Sequence, residues 1–228
     1  MKKLLLVAAL ALTLPVVAHA QQAPAAPPAA PPKIVYSPLD KMPAGTYVLD
    51  PTHFNLLWKV NSAGLSGYYG RFTKVEAKLD FNPKDPMRSA LVVKVDPSSL
   101  LTDFLVGRET TYEEKKRDFD FDQVLRGDKW FNVAAFPEIT MVAKSMKKKT
   151  DKTAVLTAEL TFMGVKKNIN MDVTFNGASA AKPANGLPVI GFSAKTKIKR
   201  SDFGMKTLIP VISDEVEIII EAQFQKPN

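Results

Sequence analysis

The chain contains no cysteine. That excludes a disulfide framework, a thiol nucleophile, a cysteine-ligated metal and a lipid attached through an amino-terminal cysteine. Histidine is nearly missing too. Of the two present, His19 falls in an export leader, so His53 is the single imidazole left for a Ser-His-Asp arrangement. There is no G-x-S-x-G elbow, no H-E-x-x-H and no glycine loop leading into a helix that would cradle phosphate. The only long apolar run, Leu4 to Val17, is shorter than the roughly 20 residues a membrane helix needs.

What stands at the start is a leader followed by a spacer. Lys2 and Lys3 precede the apolar run, and Ala18-His19-Ala20 fits the small-x-small cleavage rule. Residues 1–20 therefore read as a cleaved signal peptide, and the protein is expected in the periplasm. Residues 21–44 are rich in alanine and proline, as in Ala23-Pro24-Ala25-Ala26-Pro27-Pro28, and read as a semi-rigid extended tether. Residues 45–228 are long enough for one domain with a sizeable interior. The formal charge is +8, of which two charges leave with Lys2 and Lys3. This balance suits a solvated basic surface and leaves peripheral contact with an anionic membrane open. Nucleic acid is not an expected partner in that compartment. Lys147-Lys148-Lys149 reads as a solvated hairpin turn.

From Gly45 onward, apolar and polar residues alternate, the period-2 pattern of strands with one dry face and one wet face. Val216, Ile218, Ile220, Ala222 and Phe224 share one side of the last such run. Equivalent runs cover Phe54 to Val60, Val75 to Phe81, Leu91 to Val95, Ile139 to Ala143, Ala154 to Phe162, Ile169 to Phe175 and Ile190 to Ile198. About eight strands joined mostly by short turns predict an all-β chain, an antiparallel up-and-down barrel or a sandwich. Gly164 and Asn176-Gly177 read as turns. Gly64, Gly67 and Gly70 read as a tight bend between strands.

Residues 98–136 break the pattern. Ser98 is placed to cap a short helical turn through Leu101, and Asp128 to cap a helix that Pro137 stops. A helical excursion in such a chain covers a barrel end or forms a lid. Within it, Asp118, Asp120 and Asp122 would face one way on an extended segment, as oxygen ligands for a hard cation would. Lys115, Lys116, Arg117 and Arg126 neutralise them, so the set reads as a solvated charge network with no metal. His53, at the start of a strand, reads as a hydrogen-bonded group and not as a catalyst.

The remaining feature is the apolar interior. Large and small inward residues, such as Phe54, Trp58, Phe162 and Phe192 against Ala77, Ala143 and Ala194, can interdigitate into a solid core. An eight-stranded barrel can equally hold one small ligand. The pattern by itself favours the filled core.

Several motifs in order carry a resemblance that spans about Gly45 to Gln225. Tyr47-Val48-Leu49-Asp50-Pro51-Thr52-His53 is similar to the first strand of the YceI-like family, whose members bind lipids and polyisoprenoids in the periplasm. Gly64 to Phe72 resembles its glycine-punctuated first hairpin, and Asp96-Pro97-Ser98-Ser99-Leu100-Leu101-Thr102 its short turn. Leu125-Arg126-Gly127-Asp128-Lys129-Trp130-Phe131 through Pro137, Leu160 to Lys167, and Lys199-Arg200-Ser201-Asp202-Phe203-Gly204-Met205 follow in sequence. Val124 and Asn61 stand where the family often has histidine, and the stretch from Phe104 to Asp120 is longer than usual.

The resemblance implies an extended lipocalin-like antiparallel barrel and a long apolar cavity. It makes the chain a non-catalytic carrier with no cofactor beyond a bound lipid. The expected ligand is a hydrophobic small molecule such as an isoprenoid quinone or lipid. Its lining would come from Phe54, Leu56, Trp58, Leu79, Phe81, Leu156, Leu160, Phe162, Val173, Phe175, Phe192, Ile218 and Ile220. His53, Arg126 and Asp202 would form the polar end. Pairing of two chains stays open. The alternative is a β-rich protein-interaction module with a solid core.

Overall fold

The computed structural model describes residues 34–102, 120–182 and 186–227. Residues 1–20, expected as a leader, most of the expected tether and residues 103–119 of the expected helical excursion, Asp118 among them, lie outside these residues. Ten strands are described: β1 (Gly45–Ser62), β2 (Ser66–Phe72), β3 (Val75–Phe81), β4 (Ala90–Val95), β5 (Leu100–Thr102), β6 (Ile139–Lys148), β7 (Thr153–Phe162), β8 (Val165–Ser179), β9 (Val189–Lys199) and β10 (Glu215–Gln225). All pair antiparallel. β1, β3, β4 and β6 to β10 form the closed ring, and β10 returns to β1 to remove both edges. The expected all-β eight-stranded barrel is therefore the observed one.

β1 is long enough to serve two neighbours on one side. Its start pairs with β3, from Gly45 opposite Phe81 to Val48 opposite Lys78. Its end pairs with β2, from Leu56 opposite Phe72 to Ser62 opposite Ser66. β5 then pairs with β2 and extends the wall at that end. The helix α1 (Phe121–Arg126) packs against β5.

Three irregularities reset which face points inward. Between Leu49 and Phe54 the pairing of β1 with β10 slips, so both side chains face the interior despite their odd spacing. β6 slips between Ala143 and Ser145, which turns Met146 inward in place of Ser145. β8 slips between Phe175 and Gly177.

The third slip corrects a sequence expectation. Asn176-Gly177 is not a turn but part of β8, with Gly177 at φ 153° in the bulge. Likewise Gly67 and Gly70 lie within β2, and only Gly64 sits in the turn. Gly70 is where glycine is required: a Cβ there would come within 2.1 Å of the Trp58 ring. Gly164 does make the β7–β8 turn, at φ 73°. Lys147 and Lys148 belong to β6, and Lys149 alone of the three is in the turn.

The helical expectations also shift. The turn Pro97–Ser99 is capped by Asp96, whose carboxylate accepts from the Ser98 amide at 2.8 Å, and Leu100 already begins a strand. The cap of α1 is Asp120, which accepts from the Gln123 amide at 3.0 Å. Residues 127–136 are turns, not a helix capped by Asp128. Proximity explains both shifts: each cap lies where a short side chain reaches the first free backbone N–H.

Candidate functional site

The interior is hollow. A cavity of about 500 Å³ runs inside the barrel, in the size range of small-molecule sites. Its lining follows the inward alternation of the strands. β10 contributes Val216, Ile218, Ile220, Ala222 and Phe224, roughly 25 Å of strand at 3.3 Å per residue. β1 contributes Phe54, Leu56, Trp58 and Val60, and β9 contributes Phe192, Ala194, Thr196 and Ile198. Leu79, Leu156, Leu160, Phe162 and Val173 complete the predicted residues that face it.

Two predicted lining residues do not reach it. Phe81 is buried against Tyr47, ring centroids 5.8 Å apart, in the cluster that closes one end of the barrel. Phe175 packs on Phe192 at 6.0 Å, just before the β8 bulge, and both pack against that cluster, but only Phe192 also lines the cavity. Phe81 ends β3 and Phe175 precedes the β8 bulge, and at both places the lumen has been filled. Met42, Tyr47, Ile190 and Ala178 fill it there.

None of the three residues expected at the polar end is among the lining residues. His53 does not line the cavity. It sits in the β1 bulge with Nδ1 2.8 Å from Thr52 Oγ1 and 3.0 Å from Asp50 Oδ2, bonded to side chains and not to backbone. Arg126 points from the end of α1 to the Leu100 carbonyl. Asp202 is exposed and pairs with Lys167 at 3.3 Å. Of the acidic set of the excursion, the two described members have separate partners: Asp120 caps α1, while Asp122 accepts from the Thr102 amide at 2.9 Å and its hydroxyl at 2.6 Å.

Arg200 is a charged residue that does line the cavity, as Glu221 of β10 also does. It is 2% exposed, and its guanidinium donates to three backbone carbonyls: Nε to Ser213 at 2.9 Å, and the two terminal nitrogens to Met205 at 3.3 Å and Ile212 at 2.8 Å. Burial lowers its pKa, and the nearby Asp214 carboxylate opposes that. Its guanidinium carbon also lies 5.8 Å from the centre of the Trp130 ring. The sequence motif Lys199 to Met205 contains Arg200, so the signal was present, but spacing alone did not say which of Arg200 and Asp202 turns inward.

Other residues were missed for a different reason. Trp130 and Phe131 line the cavity from the turns after α1, and Phe131 packs on Phe72 at 5.5 Å and Phe162 at 5.7 Å. These turns have no periodicity to reveal an inward face. Tyr68 and Phe72 line it from β2, whose glycines masked an alternation that was there to be read.

Opposite in character is Asp50, 5% exposed in the β1 bulge. Burial pushes its carboxyl up, but hydrogen bonds from the Thr52 hydroxyl and amide, Lys182 and the charge of His53 outweigh that and hold it at about 2. Lys182 also reaches Gln223 at 3.3 Å, which ties the segment after β8 to β10. This cluster is outside the cavity.

A profile of the YceI-like domain matches residues 47–224. Protein YceI of Salmonella arizonae is 29% identical over 182 residues, covering 79% of this chain and 86% of that protein. Among solved structures, a YceI protein of Campylobacter jejuni aligns with a TM-score of 0.58 and 27% identity, covering 72% of this chain and 88% of that one. BcnA of Burkholderia cenocepacia aligns with a TM-score of 0.62 at 19% identity, covering 77% and 98%. A polyisoprenoid-binding domain of Saccharophagus degradans aligns with a TM-score of 0.57 at 16% identity, covering 81% and 100%.

Proposed function

The chain belongs to the YceI-like domain family, and from that premise we propose that it is a non-catalytic carrier that holds a polyisoprenoid or similar long-chain lipid inside its barrel. The observation that carries this reading is the apolar cavity of about 500 Å³. An apolar chain entering it leaves water, which is worth about 25 cal/mol per Å² before the cost of ordering the ligand. The polyisoprenoid binding of the Saccharophagus degradans domain supports the choice of ligand class. An isoprenoid quinone fits the same chemistry. The solid-core interaction module is the weaker reading, because the interior is hollow. Residues 1–20 support export to the periplasm, which cell fractionation with an antibody to the barrel would check.

Organic extraction of the purified protein followed by mass spectrometry tests the reading. A stoichiometric long-chain amphiphile is expected. Phe192→Asp places an unpaired charge in the apolar lining, and the folded variant is expected to load no lipid. Normal loading of that variant, or a wild-type protein that stays empty when offered prenyl lipids in detergent, would sink the proposal.

A further inference from the structure

At one end of the barrel two loops are tied together beside the cavity. The β1–β2 turn and the 205–213 loop are joined by an isolated bridge between Ser62 and Ile212, both of which line the cavity. The Ala63 amide donates to the Val211 carbonyl at 2.7 Å, and the Ser213 amide to the Asn61 carbonyl at 2.9 Å. From this joint three large apolar side chains project into solvent: Leu65 is 89% exposed, Leu208 58% and Val211 56%. Each lies within four residues of the bridge, and Leu208 is fastened to it by the Ile212 amide at 2.8 Å.

Nothing in the fold rewards these side chains. They touch no core, and Leu208 holds φ at 57°, a left-handed conformation that a branched side chain adopts at a cost. Glycine or asparagine would serve the turn better. Tyr69, also exposed, stands on β2 nearby, with Lys59 Nζ 5.4 Å above its ring. Lys206 adjoins Leu208, and the Thr207 hydroxyl holds the Lys129 carbonyl at 2.5 Å. The acids of this end are already engaged: Glu215 pairs with Lys197 at 2.7 Å, Asp202 with Lys167 at 3.3 Å, and Asp214 accepts from Ser201. Glu217 lies opposite Lys59 across the β1–β10 pair, and Asp128 precedes Lys129.

We propose that this rim is a docking surface for an anionic lipid bilayer, with Leu65, Leu208 and Val211 entering the interface and Lys206 and Lys129 meeting lipid head groups. Apolar tips flanked by an aromatic residue and lysines are what a peripheral membrane contact requires. The rim rests on the carrier reading for its purpose: it sets the end of the cavity marked by Ser62 and Ile212 against the lipid phase. Vesicle binding itself needs no ligand in the cavity.

Co-sedimentation of the full chain with vesicles tests this. Wild-type protein should bind vesicles containing phosphatidylglycerol, bind phosphatidylcholine vesicles more weakly, and lose part of its binding as salt rises. The triple variant Leu65→Ser, Leu208→Gly, Val211→Ser should bind at least about tenfold less. Glycine suits the backbone at 208, so the variant should keep its thermal midpoint. Lys206→Glu should lower binding to anionic vesicles and flatten the salt dependence. Val92→Ser, on an exposed part of the barrel wall, should change nothing. Triple-variant binding equal to wild type, or no wild-type binding to either vesicle, would overturn the proposal. So would self-association of the wild type in sedimentation velocity that the triple variant abolishes, since the rim would then serve a second copy of the chain. Loading of prenyl lipid from detergent should be unchanged in the triple variant. If vesicles bind but the cavity never loads, the carrier reading fails and the rim stands.

Discussion

At the Tyr47 end of the barrel the chain buries an anion, and at the α1 end it buries a cation. Asp50 is satisfied mainly by side chains, those of Thr52, His53 and Lys182, together with the Thr52 amide. Arg200 is satisfied by the backbone carbonyls of Met205, Ile212 and Ser213. The first arrangement exchanges charge for charge and stands apart from the cavity. The second sets the positive charge against carbonyl dipoles and an aromatic ring, with the Asp214 carboxylate nearby, and it lines the cavity. Of the two buried ions, only the cation is therefore placed to act on a guest, while the anion fastens the wall. The two ends differ in packing as well. Met42, Tyr47, Phe81 and Ile190 pack together at the Tyr47 end without lining the cavity, whereas at the α1 end Trp58, Trp130 and Phe131 line it.

The comparison is sharpened most by Arg200→Met. It leaves three carbonyls of the 205–213 loop without their donor, and a stability loss of about 3 kcal/mol is expected by chemical denaturation. A loss below about 1 kcal/mol would mean that the loop does not depend on the guanidinium. Gly70→Val comes next. Its side chain must displace the Trp58 ring toward the cavity, with an expected loss of about 2 kcal/mol and weaker lipid loading. Unchanged tryptophan fluorescence in that variant would contradict the displacement.

Asp50→Asn should cost about 2 kcal/mol at neutral pH. The sign follows from its lowered pKa. The unfolded chain protonates this carboxyl near 3.8 and the folded protein only near 2. Its contribution is therefore complete above the first value and lost as pH falls through the second. Wild type and variant should converge below pH 2, and a constant gap across that range would assign the effect to packing. The smallest effect is expected at the filled end. Tyr47→Phe removes the hydroxyl that donates to the Pro43 carbonyl at 2.9 Å, for a loss of about 1 kcal/mol with lipid loading intact.

Much of the lining was legible in the alternation itself. Phe54, Leu56, Trp58, Ile218 and Ile220 face the cavity because neighbouring residues on a strand point to opposite sides. The rule failed where the strand was irregular or where the strand outran the lumen. Leu49 and Phe54 share a face only because the Asp50 to His53 bulge inserts extra residues. Phe81 and Phe175 obey the alternation but meet the plug at the Tyr47 end. Trp130 and Phe131 come from turns, where no period exists. Arg200 turns inward because carbonyls from residues 205 to 213 fold around it, a contact that spacing within its own motif does not encode.

The order of strands, their dry faces and the glycine turn at Gly164 were set by local chemistry along the chain, since pleat and left-handed backbone act over one or two residues. Whether the interior would be hollow was settled only on closure of the barrel. That outcome compares the girth of eight paired strands with the summed volume of the side chains they turn inward, and every strand contributes to it at once.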